Sequence, residues 1–294
     1  MYASFYTYHK FYYEEYEEST EFYNSEIIRT PDGIILKSLH TYAGFFSCCS
    51  TKLDDIIEFF NNEKSLPDQI DSSMQFILYK KDENSDITYN YFKKPISSIS
   101  IPYIGKVSYI EDHQFSNYRN LPLESISPFI KKYFSPANAI IEMRDEYKKK
   151  YKVDTEHLCV LFYRGNDKNT ETSTSSYEDI INYGKQIQFK DPQVQFMIQS
   201  DETEFIDRME KEFKNSFVCR DEIRHMNKQI SSVDFVFRHQ NHEFSKKYLA
   251  LTLLMAESKY LITGSSGNCS IWIIFYREHC NELYQFFKGN WITP

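Results

Sequence analysis

Arg164, Asp167, Lys168 and Glu171 lie within eight residues, in the run Arg164-Gly165-Asn166-Asp167-Lys168-Asn169-Thr170-Glu171. An arginine and a lysine this close can grip a phosphate, the arginine through its planar fork and the lysine as a point charge. A carboxylate beside them can accept a proton from a hydroxyl. Ahead of this run stands Leu158-Cys159-Val160-Leu161-Phe162-Tyr163, short and wholly apolar, the pattern of a strand buried on both faces of a parallel sheet. Gly165 and Asn166 tolerate tight turns. The charged group therefore sits where such a strand ends, the edge at which open α/β sheets bind ligands. A surface turn with an Arg164–Asp167 salt bridge fits the same residues.

A second cluster is Gly264-Ser265-Ser266-Gly267-Asn268, between the apolar run Tyr260-Leu261-Ile262-Thr263 and a helical pattern through Trp272 to Arg277. Small residues before a helix let backbone N–H groups approach an anion, and the helix dipole adds to the attraction. A third is Ser200-Asp201-Glu202, after Val194-Gln195-Phe196-Met197-Ile198. A fourth is Ala43-Gly44-Phe45-Phe46-Ser47, ahead of Leu53, Ile56, Ile57 and Phe60 at helical spacing, with Ser47 or Ser50 as cap and Asp54 and Asp55 as early acids. A plain strand-to-helix connection fits this last stretch equally.

The elements that position these groups alternate after residue 155. Strands are predicted near 158–163, 194–198, 216–219 and 260–263, with helices over 177–188, 204–213, 244–257 and 269–277. This is the signature of a parallel, Rossmann-like domain. Helices are also predicted over 125–134 and from Ser135-Pro136 to about Tyr151, which sets a domain boundary near residue 150. Ile34 to Leu36 and Phe76 to Tyr79 read as short strands. Pro95, Pro102, Pro122 and Pro128 break residues 94–128 into short pieces, predicted as loops and short strands. The tyrosine- and glutamate-rich first 30 residues read as an edge segment or arm.

Composition narrows the classes. The 294 residues are 41% hydrophobic and 17% aromatic, enough for a substantial core, while the net charge of −8 gives no basic footprint for nucleic acid. No apolar run is long enough to span a membrane, and the first residues lack the pattern of a signal peptide. Six cysteines without CxxC spacing read as reduced thiols, and no HExxH, zinc or Walker pattern occurs, so no metal site is expected. These features suggest a cytoplasmic protein. His225, His239, His242 and Glu257 read as surface or loop groups and Trp272 as core.

Arg164-Gly165-Asn166-Asp167-Lys168 resembles the HxRRxDK region of the GT-B fucosyltransferase superfamily, which includes alpha-1,6-, nodulation and protein O-fucosyltransferases. The Thr263 to Asn268 turn resembles that group's carboxyl-terminal serine-rich segment, Gln199 to Glu202 its acidic loop, and Ala43 to Ser47 its first ligand loop. The resemblance is clearest over 155–277. It implies an α/β, GT-B-like fold, two Rossmann-like domains facing across a cleft: 1–150 on the acceptor side and 151–294 binding the nucleotide sugar. It also implies a metal-independent, inverting glycosyltransferase that moves fucose or a related sugar to a glycan or glycoprotein hydroxyl, needs no cofactor, and takes GDP, or else UDP, as the donor's carrier. The composition resembles that of an AT-rich microbe or large DNA virus, and for a virus the compartment would be host cytoplasm. Arg164 takes the place of the arginine that contacts the diphosphate. Glu171, or Asp167, is the candidate base. Gly44, Phe45, Gly165, Lys168, Asp201, Gly264, Ser265, Ser266, Gly267 and Asn268 complete the expected donor site. Phe162 stands where the family has histidine, and the aspartate expected near Leu251 is missing. Both family residues read guanine, so a non-catalytic relative that binds a nucleotide or glycan is the alternative. A further alternative is an α/β enzyme acting on a phosphorylated metabolite.

Overall fold

The computed structural model describes residues 25–39, 43–82 and 85–294. Most of the tyrosine-rich start therefore lies outside the described residues. Residues 25–30 form β1 (Ser25–Thr30), paired antiparallel with β2 (Gly33–Ser38). From β2 the chain passes through helix α1 (Phe45–Glu63) to β3 (Gln69–Asp71), which pairs parallel with β2. This βαβ unit and its added strand are the whole sheet of the amino-terminal half among the described residues.

Helix α1 starts earlier than its apolar spacing predicts. Gly44 is its N-cap, and no side chain caps it. Ser47 Oγ instead donates to Glu111, and Ser50 Oγ donates to Asn268. Asp54 and Asp55 consequently sit in mid-helix, away from the helix dipole's favourable end. Phe76–Tyr79 is also not a strand. Phe76 adopts φ 58° and Ile77–Tyr79 form a 3₁₀ turn. That turn lets Phe76 and Tyr79 both pack on the Phe45 ring, at 5.4 and 5.6 Å between centroids. Residues 95–120 form no strand, contrary to the short strands expected there, and their only regular elements are the 3₁₀ turns Glu111–Phe115 and Tyr118–Asn120. They lead to α2 (Leu123–Tyr133) and α3 (Asn138–Lys150).

The carboxyl-terminal half is built on a six-stranded sheet. Its strands are β4 (Leu158–Tyr163), β5 (Gln195–Ser200), β6 (Ser216–Phe217), β7 (Tyr260–Thr263), β8 (Leu283–Phe287) and β9 (Asn290–Ile292), in the order β6-β5-β4-β7-β8-β9. All neighbours run parallel except β9, which turns back on β8. Every residue of β4 is buried, as its unbroken apolar run requires. Helices α4 (Tyr177–Lys190), α5 (Thr203–Glu212), α6 (Asn241–Ala256) and α7 (Asn268–Arg277) connect and cover the strands. Ser176 caps α4 by accepting from the Asp179 amide. The chain moves outward from β4 through β5 to β6, then crosses back to β7. The crevice between the carboxyl ends of β4 and β7 is thus the topological switch point.

The two halves share buried side chains. Trp272 of α7 is fully buried, stacks on Phe46 of α1, and donates its indole N–H to Ser50 at 2.9 Å.

Candidate active site

Sheet register brings the charged residues together. Tyr163 is paired with Ser200 across β4 and β5, so Arg164 and Asp201 leave the sheet side by side. Phe162 is paired with Thr263 of β7, and Gly264 N donates to Phe162 O at 2.9 Å. The next residue of each strand then meets the other: Arg164 N donates to Ser265 Oγ at 2.9 Å.

The Arg164 guanidinium is largely buried and uses all three nitrogens. Nε donates to Asp201 Oδ2 at 2.9 Å, Nη2 to Asp167 Oδ1 at 3.0 Å, and Nη1 to Cys269 Sγ at 3.2 Å. Burial works against its charge, but Asp201, Cys269 and Asp167 outweigh it and hold its pKa well above the ordinary value. The Asp167 carboxyl shows the converse. Burial would raise its pKa, yet Arg164 and then Lys168 pull it below the usual carboxylate range. Asp201, 3% exposed, also accepts the Gly165 amide at 3.0 Å, and its carbonyl accepts from Asn166 Nδ2 at 2.6 Å. It holds the turn from beneath.

Gly165 is required by a close approach. It has no positive φ, but a Cβ there would lie 2.2 Å from Glu202 Oε2. Glu202 is fully buried and accepts the Tyr177 hydroxyl at 2.7 Å.

Lys168 and Glu171 occupy a single helical turn, Lys168–Glu171, and form an ion pair. The Lys168 ammonium lies 6.0 Å from the centre of the Phe115 ring. Its Cε is 3.3 Å from where a Gly267 side chain would begin, so the lysine lies on the glycine turn. In that turn Gly264 O accepts from Ser175 N at 2.8 Å, and Ser266 Oγ donates to Phe286 O at 3.3 Å. Gly267 has φ 157°, which side-chain-bearing residues rarely adopt, and supplies no side chain to cap α7. Asn268 Oδ1 accepts from Ser50 Oγ at 2.6 Å.

A narrow recess lies between these groups. Arg164, Lys168, Ser265, Ser266 and Gly267 line it, joined by Phe162, Cys269 and Ser270. The expected residues Gly165, Asp167, Asp201, Gly264 and Asn268 support it from behind. Glu171 reaches its rim through Lys168. Gly44 and Phe45 do not line it. Phe45 is 4% exposed inside an aromatic cluster, and its amide donates to Tyr79 Oη at 2.6 Å. Tyr79 in turn donates to Asp234, which Arg224 neutralises.

Sequence reading missed Cys269, Ser270 and Tyr118, and it named Glu202 only as part of the acidic loop after β5. Cys269 and Ser270 were accessible as the first turn of the helix after Gly267. Nothing local marks Tyr118. His225 and His242 make structural bonds, to Thr203 Oγ1 and Tyr79 O, and Glu257 pairs with Arg144 and Lys148. Among the described residues no cluster of His, Cys, Asp or Glu has the arrangement to hold a metal ion, and no helix is long and apolar enough to cross a membrane.

No family model and no curated protein matches the chain. Solved structures do. The NodZ alpha-1,6-fucosyltransferase soaked with GDP-fucose is similar at a TM-score of 0.54 and 10% identity, over 88% of this chain and 97% of that one. The same enzyme co-crystallized with GDP gives 0.54 and 11%, over 88% and 96%. Fucosyltransferase NodZ from Bradyrhizobium gives 0.55 and 11%, over 88% and 96%. At such identity the likeness establishes the fold: the chain has the α/β, GT-B-like architecture of these fucosyltransferases.

Proposed function

We propose that this chain is a glycosyltransferase that moves a sugar, fucose or a relative of it, from a nucleoside-diphosphate donor to a glycan or glycoprotein hydroxyl. One observation carries the reading. Arg164 and Lys168, from the end of β4, converge on the glycine turn that opens α7, at the switch point of the sheet. Two cations and a helix amino terminus around one recess suit a diphosphate. The fold likeness adds weight by analogy, since the similar structures were co-crystallized with GDP or soaked with GDP-fucose. The recess itself is closed in this structure, too narrow even for a water molecule. In this reading the diphosphate lies at its mouth, met by Lys168 as it turns from Glu171, with the base and sugar farther out. In this reading residues 151–294 hold the donor and 1–150 face the acceptor. GDP is the first candidate carrier and UDP the second.

The chemistry follows from charge. The acceptor oxygen attacks the anomeric carbon from the face opposite the phosphate, the carbon–oxygen bond to phosphate breaks, and the nucleoside diphosphate leaves. Arg164 and Lys168 stabilise the charge that grows on the leaving group, an effect worth roughly 3–4 kcal/mol per well-placed donor. The acceptor's proton needs a base. Asp167 is a poor one, because Arg164 and Lys168 hold its pKa down. Glu171 is the better choice: its side chain is 31% exposed, and its partner Lys168 would turn to the incoming phosphate and release it. The reaction would proceed without a metal.

Incubation with GDP-, UDP-, CDP-, TDP- and ADP-sugars and mixed glycan acceptors tests the reading through release of free nucleoside diphosphate. One donor should turn over in EDTA, and Glu171→Gln should slow it by about 100-fold or more. Turnover restored only by Mn²⁺ would refute the metal-independent mechanism. Binding of a nucleotide without turnover on any acceptor would leave a non-catalytic binder.

A further inference from the structure

We infer that Tyr118 is a positioning residue for the diphosphate group: reaching over from the amino-terminal half, its hydroxyl fixes the Gly267 amide and so aims the turn that opens α7. This inference rests on the reading of the recess as a diphosphate site. Tyr118 is fully buried and does not line the recess, so it acts through the turn.

The hydroxyl sits among polar groups, the Ser266 side chain included. It lies 2.7 Å from Ser270 Oγ, 3.0 Å from Gln114 O, 3.2 Å from Gly267 N and 3.4 Å from Gly267 O. Ser270 Oγ also lies 2.9 Å from Gly267 O and donates to it. The Gly267 N–H can only donate, so Tyr118 accepts from it and directs its own proton to Gln114 O or Ser270 Oγ. Both polar groups of the Gly267 residue are thereby held by side chains. That matters because Gly267, at φ 157°, has no Cβ to restrict it, and a glycine turn left alone samples many geometries. The Gly267 N–H is itself spent on Tyr118, so what its fixing aims in advance is the start of α7 that follows, and donors aimed in advance are the effective ones toward a charged ligand.

The tyrosine is itself anchored. Its amide donates to Gln285 Oε1 at 3.0 Å, and Gln285 Nε2 donates to Ser116 O at 2.8 Å. Arg119 Nη2 donates to Leu283 O at 2.8 Å, which ties the same segment to β8. On the other side Lys168 packs on Gly267. The turn is thus held between a fixed phenol and the cation proposed to meet the phosphate.

Tyr118→Phe keeps the buried ring and removes only the hydroxyl. Dissociation constants would be measured by calorimetry for GDP and guanosine, with UDP and uridine in parallel, on wild type, Tyr118→Phe, Ser270→Ala and the double variant. The diphosphate should bind the Tyr118→Phe protein about 10-fold more weakly, while the matching nucleoside binds within about two-fold of wild type. A merely structural defect would weaken both alike. Ser270→Ala should act in the same direction, and the double variant should be little worse than Tyr118→Phe, since both side chains restrain the same glycine. Diphosphate affinity unchanged in Tyr118→Phe, or equal losses for diphosphate and nucleoside, would overturn the inference and leave the donor site standing. A wild type that binds neither diphosphate would overturn the donor site and this inference with it.

Discussion

Removing the Arg164 guanidinium should destabilise the protein far more than removal of a surface charge. The arginine neutralises two carboxylates, Asp201 at 3% side-chain exposure and Asp167 at 22%, and is itself only 13% exposed. Arg164→Ala leaves Asp201 charged in a buried site, with only the Gly165 amide at its other oxygen. Breaking a buried pair from one side costs about 3–5 kcal/mol. At roughly 2–4 °C per kcal/mol for a chain of this size, the melting temperature should fall by about 6–20 °C. The same substitution frees the Asp167 carboxyl from the cation that helps hold it low. In the wild type that contribution is present above the ordinary carboxylate pKa and lost as pH falls through the depressed value, so the variant's stability should depend less on pH on the acid side. Urea unfolding followed by circular dichroism at pH 7.5 gives the first number. Adding Asp201→Asn, which removes the orphaned charge and keeps an acceptor for Gly165, should recover at least half of the loss. An Arg164→Ala protein within about 0.5 kcal/mol of wild type, or no recovery in the double variant, would refute the ion-pair reasoning.

Two further outcomes follow from burial. Asp55 is buried, with Oδ2 unpaired; it faces Ser38, Asp54, Glu58 and Lys52, and burial is the main cause that raises its pKa from 3.8 to about 7. A raised carboxyl stabilises the fold fully below pH 4 and loses that contribution as pH rises through 7, an effect on the order of 4 kcal/mol at most. Chemical denaturation between pH 5 and 8 should show stability falling in the wild type and falling less in Asp55→Asn; equal slopes would exclude the residue as the source. Gly165→Ala should cost roughly 1–3 kcal/mol, because its Cβ would meet the Glu202 carboxylate. Gly44→Ala, whose Cβ meets nothing nearer than 3.8 Å at φ −61°, should cost only the ~0.5–1 kcal/mol of alanine at an N-cap, and equal costs in urea would contradict the packing argument.

How much of this was legible beforehand depended on whether the signal was local. The buried strand β4 could be read from its unbroken apolar run, and Arg164 at its end from position alone. The Arg164–Asp201 pair could not, because it depends on the register of two strands with 31 residues between them. Gly165 stood out for tight-turn geometry, whereas its reason is the Glu202 carboxylate, which only the folded chain brings beneath it. Asp54 and Asp55 looked like early helix acids, and became mid-helix acids once tertiary packing around Phe45 started α1 at that residue. The β8–β9 hairpin had a local sign that went unused. Lys288-Gly289 is flanked by Phe286-Phe287 and Trp291-Ile292, and both turn residues take positive φ, 49° and 81°. Tyr118 carries no local sign of its role, since its partners in the α7 turn are about 150 residues away.

The most direct test of the donor site is a thermal-shift titration with GDP, UDP, CDP, TDP and ADP on wild type and Lys168→Ala. Lys168 is the better control, since its loss leaves only the partly exposed Glu171 without a partner and spares the fold. A nucleoside diphosphate at about 100 times its dissociation constant should stabilise the wild type by about 2.7 kcal/mol, a rise of about 5 °C or more. One diphosphate that raises the wild type by that amount and the Lys168→Ala protein by clearly less is the predicted result. Equal shifts in both proteins, or no shift with any of the five, would contradict a diphosphate site between Arg164, Lys168 and the α7 turn.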